Sequence, residues 1–122
     1  SNDGSKSFQN LALEKGNFLF QEVLKSSSKW GTASNMMYVV GATKAKDLLE
    51  IRKIISEHFL LIPGIGAQGG DLDEVIKNGI NNDVGLLINS SRGIIYAGKD
   101  KDFDSKSREE AMKIKNRMSN FL

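Results

Sequence analysis

The segment from Pro63 to Asp71 holds the residue types best suited to binding a ligand. It combines a proline, four glycines and a glutamine ahead of an aspartate: Pro63, Gly64, Gly66, Gln68, Gly69, Gly70 and Asp71. Glycines allow the backbone to approach a ligand closely, and the free N–H groups that open a following helix favour an anion. The pattern predicts a phosphate-binding loop, and the alternative is a tight connection without a ligand. It is not a Walker loop, because no Gly-Lys-Ser/Thr follows.

A second candidate segment contains Ser91, Arg92 and Gly93. An arginine can hold a phosphate through two parallel charge-assisted hydrogen bonds, and its two neighbours leave the backbone accessible. An arginine in such a place is by itself more typical of a solvated charge. Together with the glycine-rich loop, however, it predicts a shared phosphate site.

The composition excludes several other kinds of function. The chain has 122 residues, 17 basic and 15 acidic, and no cysteine, so disulfides and cysteine-ligated zinc are ruled out. The single histidine, His58, cannot by itself form a histidine-based metal site. A net charge of +2 is too small to predict a nucleic-acid partner. No apolar run approaches the roughly 20 residues that cross a bilayer. We therefore expect a cytoplasmic protein without nucleic-acid or membrane partners.

Hydrophobic periodicity predicts four helices that alternate with three strands. The helices are expected over residues 18–30, from a cap at Thr43, from a cap at Asp71, and over 105–120. The strands are expected at residues 36–40, 59–62 and 84–88, each of them continuously apolar. Trp30 is expected to pack against the interior. Tyr96 could line the phosphate pocket or pack under the last helix, and packing is favoured. The order α-β-α-β-α-β-α predicts a parallel sheet covered by helices.

Two architectures fit this order of elements. A doubly wound sheet could be complete at this length, whereas a (β/α)₈ barrel needs about 250 residues and would be present only in part. Periodicity leaves both open. The loops favour the barrel, since phosphate sites of (β/α)₈ enzymes commonly lie between the last two strands.

The two candidate segments also carry a family resemblance. Residues 61–71 and 88–96 resemble orotidine 5'-monophosphate decarboxylase, and most closely its longer branch from bacteria and protozoan parasites. Residues 39–43 are similar to that family's sixth strand and loop. Residues 1–4 are similar to the loop after its fifth strand, with Asp3 in place of a proline. The resemblance implies that residues 1–122 form the C-terminal half of one barrel domain, from the end of strand five to helix eight.

The resemblance implies a role for each candidate residue. Ser1 would hydrogen-bond the pyrimidine ring, and Gln68 would contact the 5'-phosphate. Arg92, with the backbone of Ser91 and Gly93, would hold that phosphate. The implied reaction converts orotidine 5'-monophosphate to uridine 5'-monophosphate and carbon dioxide in de novo pyrimidine synthesis. The enzyme would be a carboxy-lyase that needs no metal or organic cofactor.

The family's catalytic Asp-Lys-Asp-Asp network is missing from these 122 residues. It is expected on the N-terminal half of the enzyme, so the chain by itself is expected to be inactive. The implied partners are that N-terminal half and, in a homodimer, a second copy of the enzyme. Two alternatives remain. One is a non-catalytic module that binds nucleotide phosphate, and the other is a different phosphate-binding barrel enzyme acting on a sugar or indole phosphate.

Overall fold

A computed structural model describes residues 3–14, 16–66 and 70–122. The α-helices are α1 (Lys6–Gln9), α2 (Leu19–Ser27), α3 (Leu48–Ile54), α4 (Leu72–Gly79), α5 (Ser91–Ile95) and α6 (Phe103–Ser119). The strands are β1 (Met37–Val39), β2 (Phe59–Pro63) and β3 (Leu86–Asn89), and two 3-10 segments cover Asp3–Ser5 and Ala42–Asp47. No helix in this described part is long and apolar enough to cross a membrane.

The three strands form one parallel sheet in the order β1-β2-β3. β1 and β2 are each followed by helical structure that returns the chain to the start of the next strand, as parallel pairing requires. The predicted alternation of helices and strands is confirmed. The short helices α1 and α5 were not predicted, because four or five residues are too few to show a helical period.

The start of α4 shows how local chemistry sets a helix boundary. The carboxylate of Asp71 accepts hydrogen bonds from the backbone N–H groups of Asp73 and Glu74, which confirms the predicted cap. Leu72, Val75 and Ile76 then occupy one side of the helix and are buried. The cap predicted at Thr43 is wrong, since Thr43 lies inside the 3-10 segment that begins at Ala42.

The core lies between the helices and one face of the sheet. Leu60 and Ile62 of β2 are fully buried on this face, and Leu86 of β3 is almost so. The helices contribute further buried side chains, among which Leu48 and Val75 are also inaccessible to solvent. Burying these aliphatic side chains is the main stabilising contribution, at about 1.5–3 kcal/mol for each.

The opposite face of the sheet is open. Its apolar side chains are accessible to solvent: Met37 is 47% exposed, Val39 68%, Leu87 48% and Phe59 36%. Val39 and Leu61 are Cα partners, as are Leu61 and Leu87, so these apolar side chains form a row across the three strands. Strands that are apolar at nearly every position predict a sheet whose two faces are both covered by other segments. The residues that the structure describes cover only one face.

Two predictions about aromatic side chains are wrong. Trp30 is 78% exposed, because α2 ends at Ser27 and the helical period that placed Trp30 inward does not continue. Tyr96, the residue after the short helix α5, is 72% exposed.

Candidate functional site

The carboxyl ends of the three strands lie along one edge of the sheet, and the predicted site residues follow them. β2 ends at Pro63 and β3 at Asn89, and these two residues are Cα partners in the register. The glycine-rich loop and the Arg92 segment therefore leave the sheet side by side. The Ser91 hydroxyl donates a 2.9 Å hydrogen bond to Oδ1 of Asn89, so the second segment folds back on its own strand.

The glycine-rich loop needs glycine for two different reasons. Gly64 and Gly66 have φ angles of +97° and +75°, which side chains rarely adopt. Gly70 needs space instead, because a Cβ there would lie 2.4 Å from Cβ of Ala42. Ile65 and Gly70 form a parallel bridge that closes the loop at its base. Gly70 thus packs closely against the segment that follows β1.

Three predicted site residues lie outside the described part of the chain. They are Ser1, Gln68 and Gly69. Their roles remain predictions that rest on the family resemblance.

The Arg92 segment forms the five-residue helix α5 directly after β3. Ser91 and Arg92 are exposed at its start, and Gly93 is half-buried. The first N–H groups of a helix have no partner within it, so they are free to bind a ligand. An exposed guanidinium next to such groups can reach an anion at the sheet edge without a change of fold.

A cavity of about 550 Å³ lies between these two segments and α6. Gly66 and Gly70 line it from the glycine-rich loop, and Ser90 and Gly93 from the second segment. The side chain of Arg92 does not line this cavity. The structure thus brings the backbones of the two predicted loops to one cavity and leaves Arg92 at its outside.

The α6 wall of the cavity carries balanced charge. Lys113 is hydrogen-bonded to Glu110, and this bond raises the pKa of the lysine above its ordinary value. Arg117 lies 2.8 Å from a carboxylate oxygen of Asp73, whose hydrogen bond likewise raises the pKa of the arginine. Both cations have carboxylate partners, so this wall carries little net charge. Elsewhere in the described ranges, no three histidine or carboxylate side chains converge to hold a metal ion.

One residue of this region was missed by sequence reasoning. Ser90, the residue after β3, is only 9% exposed, and its hydroxyl lies against the backbone of Ile65. Nothing in the sequence distinguishes it from Ser91, whose side chain is exposed, because burial of one of two adjacent serines depends on packing from distant segments.

Comparison with curated proteins finds relatives along the whole chain. It is 52% identical over 122 residues to an orotidine 5'-phosphate decarboxylase from Flavobacterium johnsoniae and 49% identical to one from Phocaeicola vulgatus. Each match covers 100% of this chain but only 44% and 45% of the respective relative. The chain therefore spans less than half the length of these relatives, and it matches a C-terminal part of them. No family model matches the chain.

Solved structures give the same picture. Leishmania donovani UMP synthase superimposes with a TM-score of 0.78 at 33% identity, covering 97% of this chain and 26% of that protein. Leishmania donovani OMP decarboxylase superimposes with a TM-score of 0.74 at 29% identity, covering 95% of this chain and 44% of that one. The three-stranded parallel sheet with its helices is thus part of a (β/α)₈ barrel, as the loops predicted.

Proposed function

Since this chain is a homologue of orotidine 5'-phosphate decarboxylases and matches a C-terminal part of them, we propose that it works within a longer decarboxylase. The reaction breaks the bond between C6 of the orotate ring and its carboxylate carbon. Carbon dioxide leaves, the electron pair stays at C6, and a proton completes uridine 5'-monophosphate. This chain supplies substrate binding, and the rest of the barrel supplies the acidic residues and the lysine that the family resemblance implies.

One observation carries the proposal beyond homology. The glycine-rich loop and the Arg92 segment leave neighbouring strands at paired residues, Pro63 and Asn89, and both line one cavity. Gly64 and Gly66 use backbone angles that suit close approach to a ligand. A short helix after the last strand is also a recurrent phosphate-binding element of (β/α)₈ barrels. These features support a phosphate subsite at this edge.

The individual roles are those that the family resemblance implies. Arg92, with the backbone N–H groups at Ser91 and Gly93, binds the 5'-phosphate, and Gln68 closes over it. Ser1 binds the pyrimidine ring. The phosphate is remote from the breaking bond, so its binding energy serves to hold the ring in the geometry that the transition state needs.

The open face of the sheet supports the proposal that another segment of the enzyme packs against this chain. An apolar cavity of about 560 Å³ lies beside the free edge of β1, between α2 and the strand. Leu19, Phe20 and Val23 line it from the helix, and Tyr38 and Val39 line it from the strand. A strand from the N-terminal half of the same enzyme fits this place, since closing the barrel would cover both the edge and the open face.

Within that enzyme the chain is part of a single barrel domain, and by itself it is inactive because the proton donor lies on the other half. The family resemblance also implies a homodimer of the whole enzyme.

The test of the proposed function uses the longer protein that contains this chain. Decarboxylation of orotidine 5'-monophosphate is followed by the loss of substrate absorbance. In Arg92→Ala, kcat/KM should fall by about 10- to 100-fold, as expected for the loss of a hydrogen bond between charged groups. The matched control is Arg108→Ala, another exposed arginine after β3, which should stay near the wild-type value. An equal effect of both substitutions would remove Arg92 from the site, and a wild-type protein without turnover would refute the decarboxylase assignment.

A further inference from the structure

Ser90 connects the two loops of the candidate phosphate site. Its hydroxyl donates a 3.3 Å hydrogen bond to the backbone carbonyl of Ile65, two residues past the end of β2. Among the described residues, the two buried polar side chains are Ser27 and Ser90. Leaving a buried hydroxyl without a hydrogen-bond partner costs free energy, so the folded protein favours the contact between Ser90 and Ile65.

The bond attaches to the base of the glycine-rich loop. Ile65 is only 5% exposed, and it forms the bridge with Gly70 that closes the loop. The contact therefore fixes the backbone at Ile65, where the chain leaves β2 for the candidate site.

Ser90 also contacts the other loop. A Cβ at Gly93 would lie 2.8 Å from the Ser90 hydroxyl oxygen, so this oxygen lies directly against the backbone of α5 one residue after Arg92. The same hydroxyl therefore touches both segments that carry the proposed phosphate ligands.

We propose that Ser90 is a positioning residue, whose buried hydroxyl holds the backbone at Ile65 and α5 together so that both segments can bind one phosphate group. The inference rests on the proposed function and deepens it. Ser90 does not itself need to touch the ligand. Its effect should be confined to ligands that carry the phosphate, because the pyrimidine ring is bound by other segments.

The experiment measures binding of uridine 5'-monophosphate and of uridine to the longer protein by calorimetry or by competition with substrate. In Ser90→Ala, the dissociation constant of uridine 5'-monophosphate should rise about three- to tenfold, as expected for one neutral hydrogen bond. The affinity for uridine, which lacks the phosphate, should not change. Ser90→Thr, which keeps the hydroxyl, should restore the preference for the phosphorylated ligand. Ser90→Cys, a weaker donor of similar size, should be intermediate.

Ser27→Ala is the matched control. Ser27 is buried to a similar extent, and its hydroxyl lies 2.7 Å from the carbonyl of Val23 on α2, away from the loops. This variant should lower stability without changing the ratio of the two dissociation constants. If Ser90→Ala weakens both ligands equally, or neither, the positioning role is wrong.

Failure of the proposed function is distinguishable from failure of this inference. A wild-type protein that neither decarboxylates orotidine 5'-monophosphate nor binds uridine 5'-monophosphate would overturn both. An active wild-type protein with an unchanged Ser90→Ala variant would overturn the positioning role alone.

Discussion

Arg52 is predicted to be the most costly polar side chain of this chain to remove. It lies on α3, half-buried, at the end of the sheet opposite the candidate site. Its guanidinium donates to five backbone carbonyls, those of Gly79 and His58 at 2.6 Å, Gly85 at 2.9 Å, Ile55 at 3.2 Å and Ser56 at 3.3 Å.

These carbonyls belong to the ends of two helices and the starts of two strands. Gly79 is the last residue of α4, and Ile55 follows the last residue of α3. The last carbonyls of a helix have no partner within it and carry the negative end of its dipole. One guanidinium therefore stabilises both helix ends and the two backbone segments that lead into β2 and β3. Burial lowers the pKa of Arg52, and the nearby Glu57 opposes that shift.

Replacing this side chain with a similar apolar one, Arg52→Met, should lower the free energy of unfolding by about 3 kcal/mol. The estimate takes the three bonds shorter than 3.0 Å at about 1 kcal/mol each and ignores the two longer ones. Arg52→Lys should recover less than half of the loss, because an ammonium cannot reproduce the planar fork of donors. The effect should be the same at pH 6 and pH 9, since arginine stays protonated throughout this range.

Urea unfolding of the longer protein, followed by circular dichroism, measures this free energy. Lys53→Ala is the control on the next position of α3. Lys53 is 69% exposed and pairs only with Glu50 on the surface, so its loss should cost less than about 0.5 kcal/mol. A loss below about 1 kcal/mol for Arg52→Met, with an unchanged slope in urea, would show that the carbonyls are satisfied without the guanidinium.

Two further predictions concern the site and the open face. Gly70→Ala should destabilise the protein by about 1–3 kcal/mol, because the new Cβ meets that of Ala42, and adding Ala42→Gly should recover part of the loss in the same unfolding assay. In the longer protein, a thiol at Val39→Cys should react with a maleimide at least about tenfold more slowly than one at Lys53→Cys. Val39 and the Lys53 side chain are 68% and 69% exposed in this chain, so equal reaction rates would mean that no partner segment covers the open face.

Much of the fold could be predicted from local residue patterns. The apolar strands, the cap at Asp71 and the order of elements depend on contacts between near neighbours in sequence, which propensity and periodicity report directly. It could also be predicted, for a related reason, that the glycine-rich loop and the Arg92 segment begin next to each other. Parallel strands place their carboxyl ends at one edge, so the topology alone brings these two segments together.

Other features depended on packing between distant segments. In the sequence, Arg52 is not distinguishable from the exposed cations that many helices carry. Only the fold brings the backbone carbonyls of Gly79 and Gly85 to its guanidinium. His58 is a second example. Both of its ring nitrogens are buried without a hydrogen-bond partner, and its ring meets that of Tyr38 edge-on.

The sequence by itself determined the type and order of the elements, the resemblance to orotidine 5'-phosphate decarboxylases, and the two segments that follow β2 and β3. The tertiary structure decided which sheet face the helices cover and which adjacent serine is buried. It also decided that Trp30 and Tyr96 are exposed. The physical reason is that burial depends on surfaces that come together from far apart in the chain, while a local pattern reports only that a residue is apolar.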